Sequence, residues 1–400
     1  MDRYGLVVIG SGPGGVGAAT AYLEAGGATP VLVVTSDEDP PYMRPPLSKE
    51  SLRSSQEPEP TPLADDLGKV ELRLGTTVSH LDLEARSVQA GAETVGFDRL
   101  VIATGARPMS LPGIDSEVDQ HQLRTLADLR RLHEAAGHAR SAVVIGSGFI
   151  GCEAAASLAM RGLDVTMATR EEAPQQARLG EHVAGAITGW LRGYGVTMHT
   201  GVDVSSVEPP RQVHLSDGTT LEPDLLLVVV GVEPATDALD GSGLELEQGR
   251  VVVDQRLQTA TDGVYAVGDV ALAEHQVAGR RVVVEHWGDA EAMGEVAGQA
   301  AAGQDVVWET IPGFWSEIGE HTLMYAAWGD GYDRAEVVEG DDGFTVWYGD
   351  EHGALVGVLA YGTEDDYERG RELIEAGVSL AEALQRAGGR TGEAEAAKET

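Results

Sequence analysis

The chain has 400 residues, is 42% hydrophobic and carries a formal charge of −37, from 28 basic and 65 acidic side chains. That length holds two or three domains with sizeable cores, and so acidic a surface repels nucleic-acid phosphates and anionic membranes, so neither is expected as a partner. The single cysteine, Cys152, excludes an internal disulfide and a paired redox motif, and the 11 histidines show no metal-ligand spacing, so no metal site is expected.

The chain opens on "GLVVIG" at 5–10 with no basic leader and no cleavage signal, which argues for a cytoplasmic protein without a signal peptide. No apolar run reaches the roughly 18 residues of a membrane span. Short β-branched runs follow in order: "LVVIGSG" (6–12), "VLVV" (31–34), "RLVIATG" (99–105), "SAVVIGSG" (141–148), "DVTMAT" (164–169), "LLLVVVG" (225–231) and "GVYAVGD" (263–269). Apolar strands alternating with Ala-rich helical stretches predict parallel sheets covered on both faces. Residues 51–66 read as an exposed loop. Beyond 306, "TLMYAAWG", "FTVWYGD" and "ALVGVLAYG" predict an antiparallel sheet, followed by a helix near 366–385. The polar tail at 388–400 is expected to be disordered.

One near-repeat stands out: "VVIGSGPGGVGAATAYLEAG" (7–26) matches "VVIGSGFIGCEAAASLAMRG" (143–162). Two copies of one strand–turn–helix unit predict two nucleotide sites. In the first copy, Gly10, Gly12 and Gly15 form GxGxxG between strand and helix. Gly10 permits the tight turn, Gly12 lets a pyrophosphate approach the backbone, and Gly15 allows close helix–strand packing. The helix N-terminus faces the anion. Asp37 follows the next strand, a little later than usual, where a carboxylate binds ribose hydroxyls. The second copy holds Gly146, Gly148 and Gly151. There Thr169 stands where an NAD site usually carries its acid, and Arg170 follows it. Loss of the acid and gain of an arginine suit a 2′-phosphate, so NADPH stands beside NADH; Glu171 and Glu172 oppose that reading.

The chain resembles the FAD-dependent pyridine nucleotide-disulfide oxidoreductase superfamily, and within it the ferredoxin reductases of oxygenase systems and apoptosis-inducing factor. The resemblance spans about residues 4–385. It rests on "GSGPGG", "PYMRPPLSK", "ATGARP", "LRTLAD", "GSGFIGCE", "GVEPAT", "GVYAVGD", "VEHWGDA" and "FWSE", in that order. It implies an α/β fold: two Rossmann-like, doubly wound, three-layer dinucleotide-binding domains and a C-terminal α+β domain. The expected boundaries are 1–112 with 241–306 for FAD, 113–240 for NAD(P)H and 307–387 for the third domain.

The resemblance also implies roles. FAD contacts fall to Gly10, Gly12, Pro13, Gly14, Gly15, Asp37, Arg44, Lys49, Val78, Arg124, Gly268, Asp269, Glu285, His286 and Trp287, with Asp269 on the ribityl chain. "ATGARP", with Ala103, Thr104 and Gly105, marks the crossover between the two nucleotide domains. Nicotinamide-nucleotide contacts fall to Gly146, Gly148, Phe149, Ile150, Gly151, Glu153, Thr169, Arg170 and Gly231. Alone, Lys49 reads as a surface lysine and Glu153 as a helix N-terminal charge. The family pairs them beside the flavin, where the cation stabilises negative charge as hydride arrives and its partner orients it. Trp315 matches a flavin-proximal aromatic. Glu317 and Asp289 depart from the family's usual Asp and Asn. "RPPLSKESL" lacks the cysteine pair of a disulfide reductase, so Cys152 reads as a packing residue.

The implied function is hydride transfer from NADH or NADPH to FAD, then electron transfer to an acceptor, first a ferredoxin-type iron–sulfur protein serving an oxygenase. The alternatives are an NAD(P)H oxidase or diaphorase using oxygen or a quinone, and an apoptosis-inducing-factor-like redox-responsive binding protein. A monomer or a homodimer fits the sequence equally.

Overall fold

A computed structural model of the chain describes residues 1–64, 67–111, 114 and 117–387. The chain divides into two compact units, Met1–Glu309 and the remainder from Thr310 onward.

The first unit begins with β1 (Arg3–Ile9), α1 (Pro13–Glu24) and β2 (Val31–Val34), the strand–turn–helix–strand unit foreseen from the sequence. All four residues of β2, and all of β1 after Arg3, are buried. Strands covered on both faces have no polar alternation, which is why these runs read as continuous apolar segments. With β3 (Val70–Arg73), β4 (Val78–Asp82), β5 (Ser87–Ala90) and β6 (Glu93–Ile102) they form a sheet in the order β3-β2-β1-β6-β5-β4, and strand Val264–Ala266 also pairs with β6. β1 runs parallel to both neighbours, with Leu6 opposite Val31 and Val8 opposite Val101. β4, β5 and β6 instead form an antiparallel meander.

Between β2 and β3, a 3₁₀ turn (Pro45–Ser48) and the short helix α2 (Glu50–Arg53) flank Lys49. The loop expected over 51–66 therefore begins inside a helix. α1 packs against helix Trp287–Ala301, and glycine makes the approach close: a Cβ on Gly294 would lie 2.3 Å from the Gly14 carbonyl oxygen.

The second nucleotide region repeats the plan. After β7 (Ala106–Pro108), α3 (Leu126–His138) starts at a capping box in which Thr125 and Asp128 satisfy each other's backbone N–H. Then come β8 (Ser141–Ile145), α4 (Phe149–Met160), β9 (Asp164–Ala168) and β10 (Thr197–His199), in a parallel sheet ordered β10-β9-β8 and closed by Leu225–Val228. A small antiparallel sheet of 204–208, 212–215 and 220–221 sits between them in sequence. The two connections between the nucleotide regions run side by side: β7 pairs antiparallel with Val232–Pro234, and Arg107 bridges Glu233 at 2.8 Å.

The second unit is a five-stranded antiparallel sheet. Its spatial order is Gly313–Ile318, His321–Ala327, Leu355–Tyr361, Phe344–Gly349, Arg334–Glu339, with helix Glu364–Glu375 after it. The single helix expected over 366–385 is broken. Gly377 takes a left-handed φ of +64°, and helix resumes over 380–387. The tail expected to be disordered, 388–400, lies outside the described residues. Among the described residues, no helix is long and apolar enough to cross a membrane.

Candidate active site

β1 is followed directly by Gly10, whose φ of +110° favours glycine. A Cβ there would lie 2.2 Å from the Ala103 carbonyl oxygen, and a Cβ on Gly15 would lie 2.1 Å from the Gly10 oxygen. Those two glycines are required by the turn's own packing. Gly12 is different: a Cβ on it would meet nothing within 4 Å. The protein leaves open space at the one position where a phosphate must reach backbone N–H groups. Pro13 opens α1, where its missing N–H costs nothing.

At the far end of β2, Ser11 donates to Thr35 Oγ1 at 3.1 Å, and the Asp37 N–H donates to the same oxygen at 3.2 Å. Tyr42 donates its hydroxyl to Asp37 Oδ2 at 2.7 Å and accepts the Leu126 N–H at 2.8 Å. Burial pushes the Tyr42 hydroxyl up to about 12, so it stays a donor at neutral pH. Arg44 lies 3.9 Å from Asp37, and Arg124 bonds the buried Asp269 at 2.7 Å. Burial, and then the Arg124 cation, pull the Arg44 guanidinium below its ordinary value. Two cations held together beside a glycine turn are the charge pattern a pyrophosphate neutralises.

Other sequence-predicted residues fall around this turn. Ala103, Thr104 and Gly105 follow β6, and Thr104 donates to the Ala235 carbonyl at 2.7 Å across the crossover. Gly268 and Asp269 form a 3₁₀ turn after the strand beside β6. His286 caps helix Trp287–Ala301 and bonds the buried Asp289 at 2.8 Å, while Glu285 pairs with Arg250. The Trp287 indole N–H is buried and has no partner among the described residues, as a donor awaiting a ligand would be. Val78 opens β4, buried opposite Ala90.

The second turn repeats the first. Gly146 has φ +111°, and its Cβ would lie 2.3 Å from the Val229 oxygen. A Cβ on Gly151 would lie 2.3 Å from the Gly146 oxygen. Gly148 precedes α4, whose first residues are Phe149, Ile150 and Gly151. Gly231, at φ +114°, leads into the strand that pairs with β7. Thr169 is buried and shares a 2.7 Å hydrogen bond with Ser147. Arg170 does not turn toward Thr169: its guanidinium pairs with Asp203, and its side chain is 77% exposed.

Lys49 and Glu153 join the two regions. Lys49 Nζ stands 2.9 Å from Glu153 Oε2 and 3.0 Å from the Pro45 oxygen. The lysine is 6% exposed and the glutamate 3%. Sequence reasoning missed the support for this pair. Ser48 donates to the same Glu153 oxygen at 2.5 Å, and Ser157, one turn further along α4, donates to the Ser48 carbonyl at 2.7 Å. The adjacency of Ser48 to Lys49 was the available signal. Gln175 was also missed. It is buried, holds a left-handed φ of +62°, and donates to the Ser147 carbonyl in the second glycine turn at 3.0 Å. Cys152 is fully buried against that same carbonyl, and burial raises its thiol well above the usual range. Trp315 lies in the second unit and is 43% exposed.

Two glycine turns, one with a carboxylate and two cations beside it, joined by a shielded ion pair, define an oxidoreductase that holds two dinucleotides. A family model described as pyridine nucleotide-disulphide oxidoreductase matches residues 4–294. The ferredoxin–NAD(+) reductase component of the anthranilate 1,2-dioxygenase system of Burkholderia cepacia is 31% identical over 391 residues, covering 94% of this chain and 95% of that protein. The ferredoxin reductase for the CYP199A2 system of Rhodopseudomonas palustris superposes with a TM-score of 0.88 at 27% identity, covering 96% of this chain and 97% of that one. A chain of the covalent putidaredoxin reductase–putidaredoxin complex does so with a TM-score of 0.87 at 25% identity, covering 96% and 99%. The chain belongs to the pyridine nucleotide-disulphide oxidoreductase family. It is an NAD(P)H-dependent flavoprotein oxidoreductase whose cofactors are FAD and a nicotinamide nucleotide, and the open Gly12, the Arg44–Arg124 cluster and the orphaned Trp287 N–H fit the first of these.

Proposed function

We propose that the protein is a ferredoxin reductase: it takes hydride from NAD(P)H onto FAD and delivers electrons to a small iron–sulfur protein that serves an oxygenase. The observation that carries this reading is the Lys49–Glu153 pair, because it ties the segment after the first dinucleotide turn to the helix that opens the second. The relatives support the acceptor, since one is the ferredoxin–NAD(+) reductase component of a dioxygenase system and another is a ferredoxin reductase.

When bound, FAD supplies the hydride acceptor and the route for onward electrons. The protein's own residues bind and orient. Gly10, Gly12 and Gly15, with Arg44 and Arg124, hold the flavin nucleotide's phosphates. Asp37, kept in place by Tyr42 and the Thr35 hydroxyl, holds its ribose, and Asp269 the ribityl hydroxyls. Gly146, Gly148 and Gly151 hold the exchanging nucleotide. Lys49 stands as a fixed cation where negative charge develops, worth most in a site that excludes water. Glu153 and Ser48 keep that cation from swinging away. A cytosolic setting follows, because the NAD(P)H pool is there.

A second reading keeps the first half-reaction and replaces the acceptor with a quinone or oxygen. The charge of −37 favours it, since an acidic ferredoxin would dock against like charge. The test is anaerobic rapid mixing. The yellow protein should bleach with NADH or NADPH, and the reduced protein should then reduce a ferredoxin faster than it reduces a quinone. Preference for the quinone would favour the second reading, and a colourless protein unable to bind FAD would refute both.

A further inference from the structure

Along α4 and its C-cap, Glu153, Ser157 and Arg161 recur every fourth residue, so they share one face of the helix. All three reach the segment that carries Lys49. Glu153 Oε2 accepts from Lys49 Nζ at 2.9 Å and from Ser48 at 2.5 Å. Ser157 donates to the Ser48 carbonyl at 2.7 Å, and Arg161 Nη1 donates to the Leu52 carbonyl at 3.3 Å. At 1.5 Å of rise per residue these contacts extend over about 12 Å. They follow the segment from its 3₁₀ turn to the end of α2.

α2 depends on that support. Its four residues, Glu50–Arg53, are too few to hold a helix by themselves, so its position is set by what it rests on. Lys49 is its N-cap, and the Lys49 carbonyl accepts the Arg53 N–H at 2.9 Å. Movement of α2 is therefore movement of Lys49. At the other end, the last carbonyls lack partners within the helix. Arg161 supplies one for Leu52, and the His133 ring, on α3, donates from Nε2 to the Ser54 carbonyl at 2.9 Å. Arg161 Nη2 also donates to the His133 carbonyl at 3.1 Å. One guanidinium thus ties α2, α3 and α4 together. Among the described residues it has no carboxylate partner, in a chain with 65 acidic side chains, and burial lowers its pKa. A cation set on neutral carbonyls gives up hydration without gaining an ion pair. What it gains is geometry, because its rigid fork of donors reaches two elements at once.

We infer that Arg161, supported by His133, is a positioning residue for hydride transfer: it pins the C-terminal end of α2 and so fixes Lys49 against Glu153. This rests on the role given above to Lys49. It acts on the rate of flavin reduction and not on the affinity for the nucleotide.

The test compares FAD-loaded wild type with Arg161→Met, which keeps the stem and loses the fork. Amide hydrogen exchange should quicken by at least about tenfold over residues 52–54 and stay within about twofold over 153–156. Anaerobic stopped-flow reduction at saturating NADH should slow by about tenfold, since a small misplacement near the reacting atoms is costly. The half-saturating NADH concentration should move by less than about twofold. Arg161→Lys, which keeps a single donor group, should recover part of the rate. In a Lys49→Ala background, Arg161→Met should slow reduction by less than about twofold more, because its effect passes through Lys49. Unchanged exchange, an unslowed rate, a loss confined to half-saturation, or a full tenfold loss added to that of Lys49→Ala would overturn the assignment. If Arg161→Met loses its flavin, His133→Phe takes its place. It removes the other donor at the end of α2 and should quicken exchange and slow reduction by about threefold; wild-type values of either overturn the assignment too. Lys49→Ala that reduces as fast as wild type refutes the role of Lys49 itself. Wild-type rates in Arg161→Met beside a slow Lys49→Ala refute the anchor alone.

Discussion

Lys49 Nζ and Glu153 Oε2 stand 2.9 Å apart across 104 residues of sequence, with both side chains nearly shut off from water. Burying two charges costs more than their attraction returns unless other hydrogen bonds complete the set, so such a pair is weak evidence for stability. Here Ser48 and the Pro45 carbonyl complete it.

Lys49→Ala should therefore keep FAD but slow flavin reduction by about a hundredfold, the usual loss when one preorganised charge-stabilising group is removed. It should also lower the unfolding free energy, by up to about 3–5 kcal/mol, because the Glu153 carboxylate stays buried after losing its cation. The double variant Lys49→Met/Glu153→Leu separates the two effects. Denaturation should show stability regained, while stopped-flow absorbance shows reduction still slow. Fast reduction in the double variant would refute the electrostatic role.

Ser48→Ala removes one of the donors on Glu153 and leaves the ion pair. Loss of one partner from a buried network costs about 1–3 kcal/mol. The expected result is a protein that melts earlier and reduces its flavin several-fold more slowly at saturating NADH. Wild-type rates in Ser48→Ala would show that Lys49 alone orients the glutamate.

Cys152 should be silent. Its thiol is buried and pushed up in pKa, so little thiolate exists at neutral pH. Ellman's reagent at pH 8 should give far less than one equivalent in the native protein and one after denaturation. Cys152→Ala should turn over normally. Rapid native labelling, or lost turnover in that variant, would return the thiol to the chemistry.

Association with an acidic ferredoxin should carry the signature of the −37 charge. Raising salt toward about 0.15 M shortens the screening length to about 8 Å, so the second-order rate should rise. The rate with an uncharged quinone should stay flat. A ferredoxin rate that falls with salt would reveal a basic docking patch instead.

The parts of the fold that repeat were legible. β1–α1–β2 and β8–α4–β9 announce themselves because strands covered on both faces are uninterrupted apolar runs, and because Gly10, Gly15, Gly146 and Gly151 are fixed by backbone oxygens about 2 Å from where a Cβ would go. Less legible were β4, β5 and the first half of β6, and the sheet of 204–221, whose short strands carry mixed residues and no long apolar run. The break at Gly377 was hidden inside an amphipathic stretch long enough for one helix. At the site, Lys49 and Glu153 were found through their motifs, but Ser48 and Gln175 were not, because each acts through a contact formed only when distant segments meet. The hydrogen bond from the Glu171 N–H to Thr169 Oγ1 was equally invisible, because it forms only once the turn has folded.

The chain contains three lysines, and of these Lys69 is exposed while Lys49 is closed off. Acylating reagents mark amines by access. In the native protein they should modify Lys69 at once and spare Lys49, against almost no background from other side chains. The mass of the peptide that carries Lys49 then becomes a clock for how often the shielded pair opens. It would time that opening without a dye, a substrate or a change to the sequence.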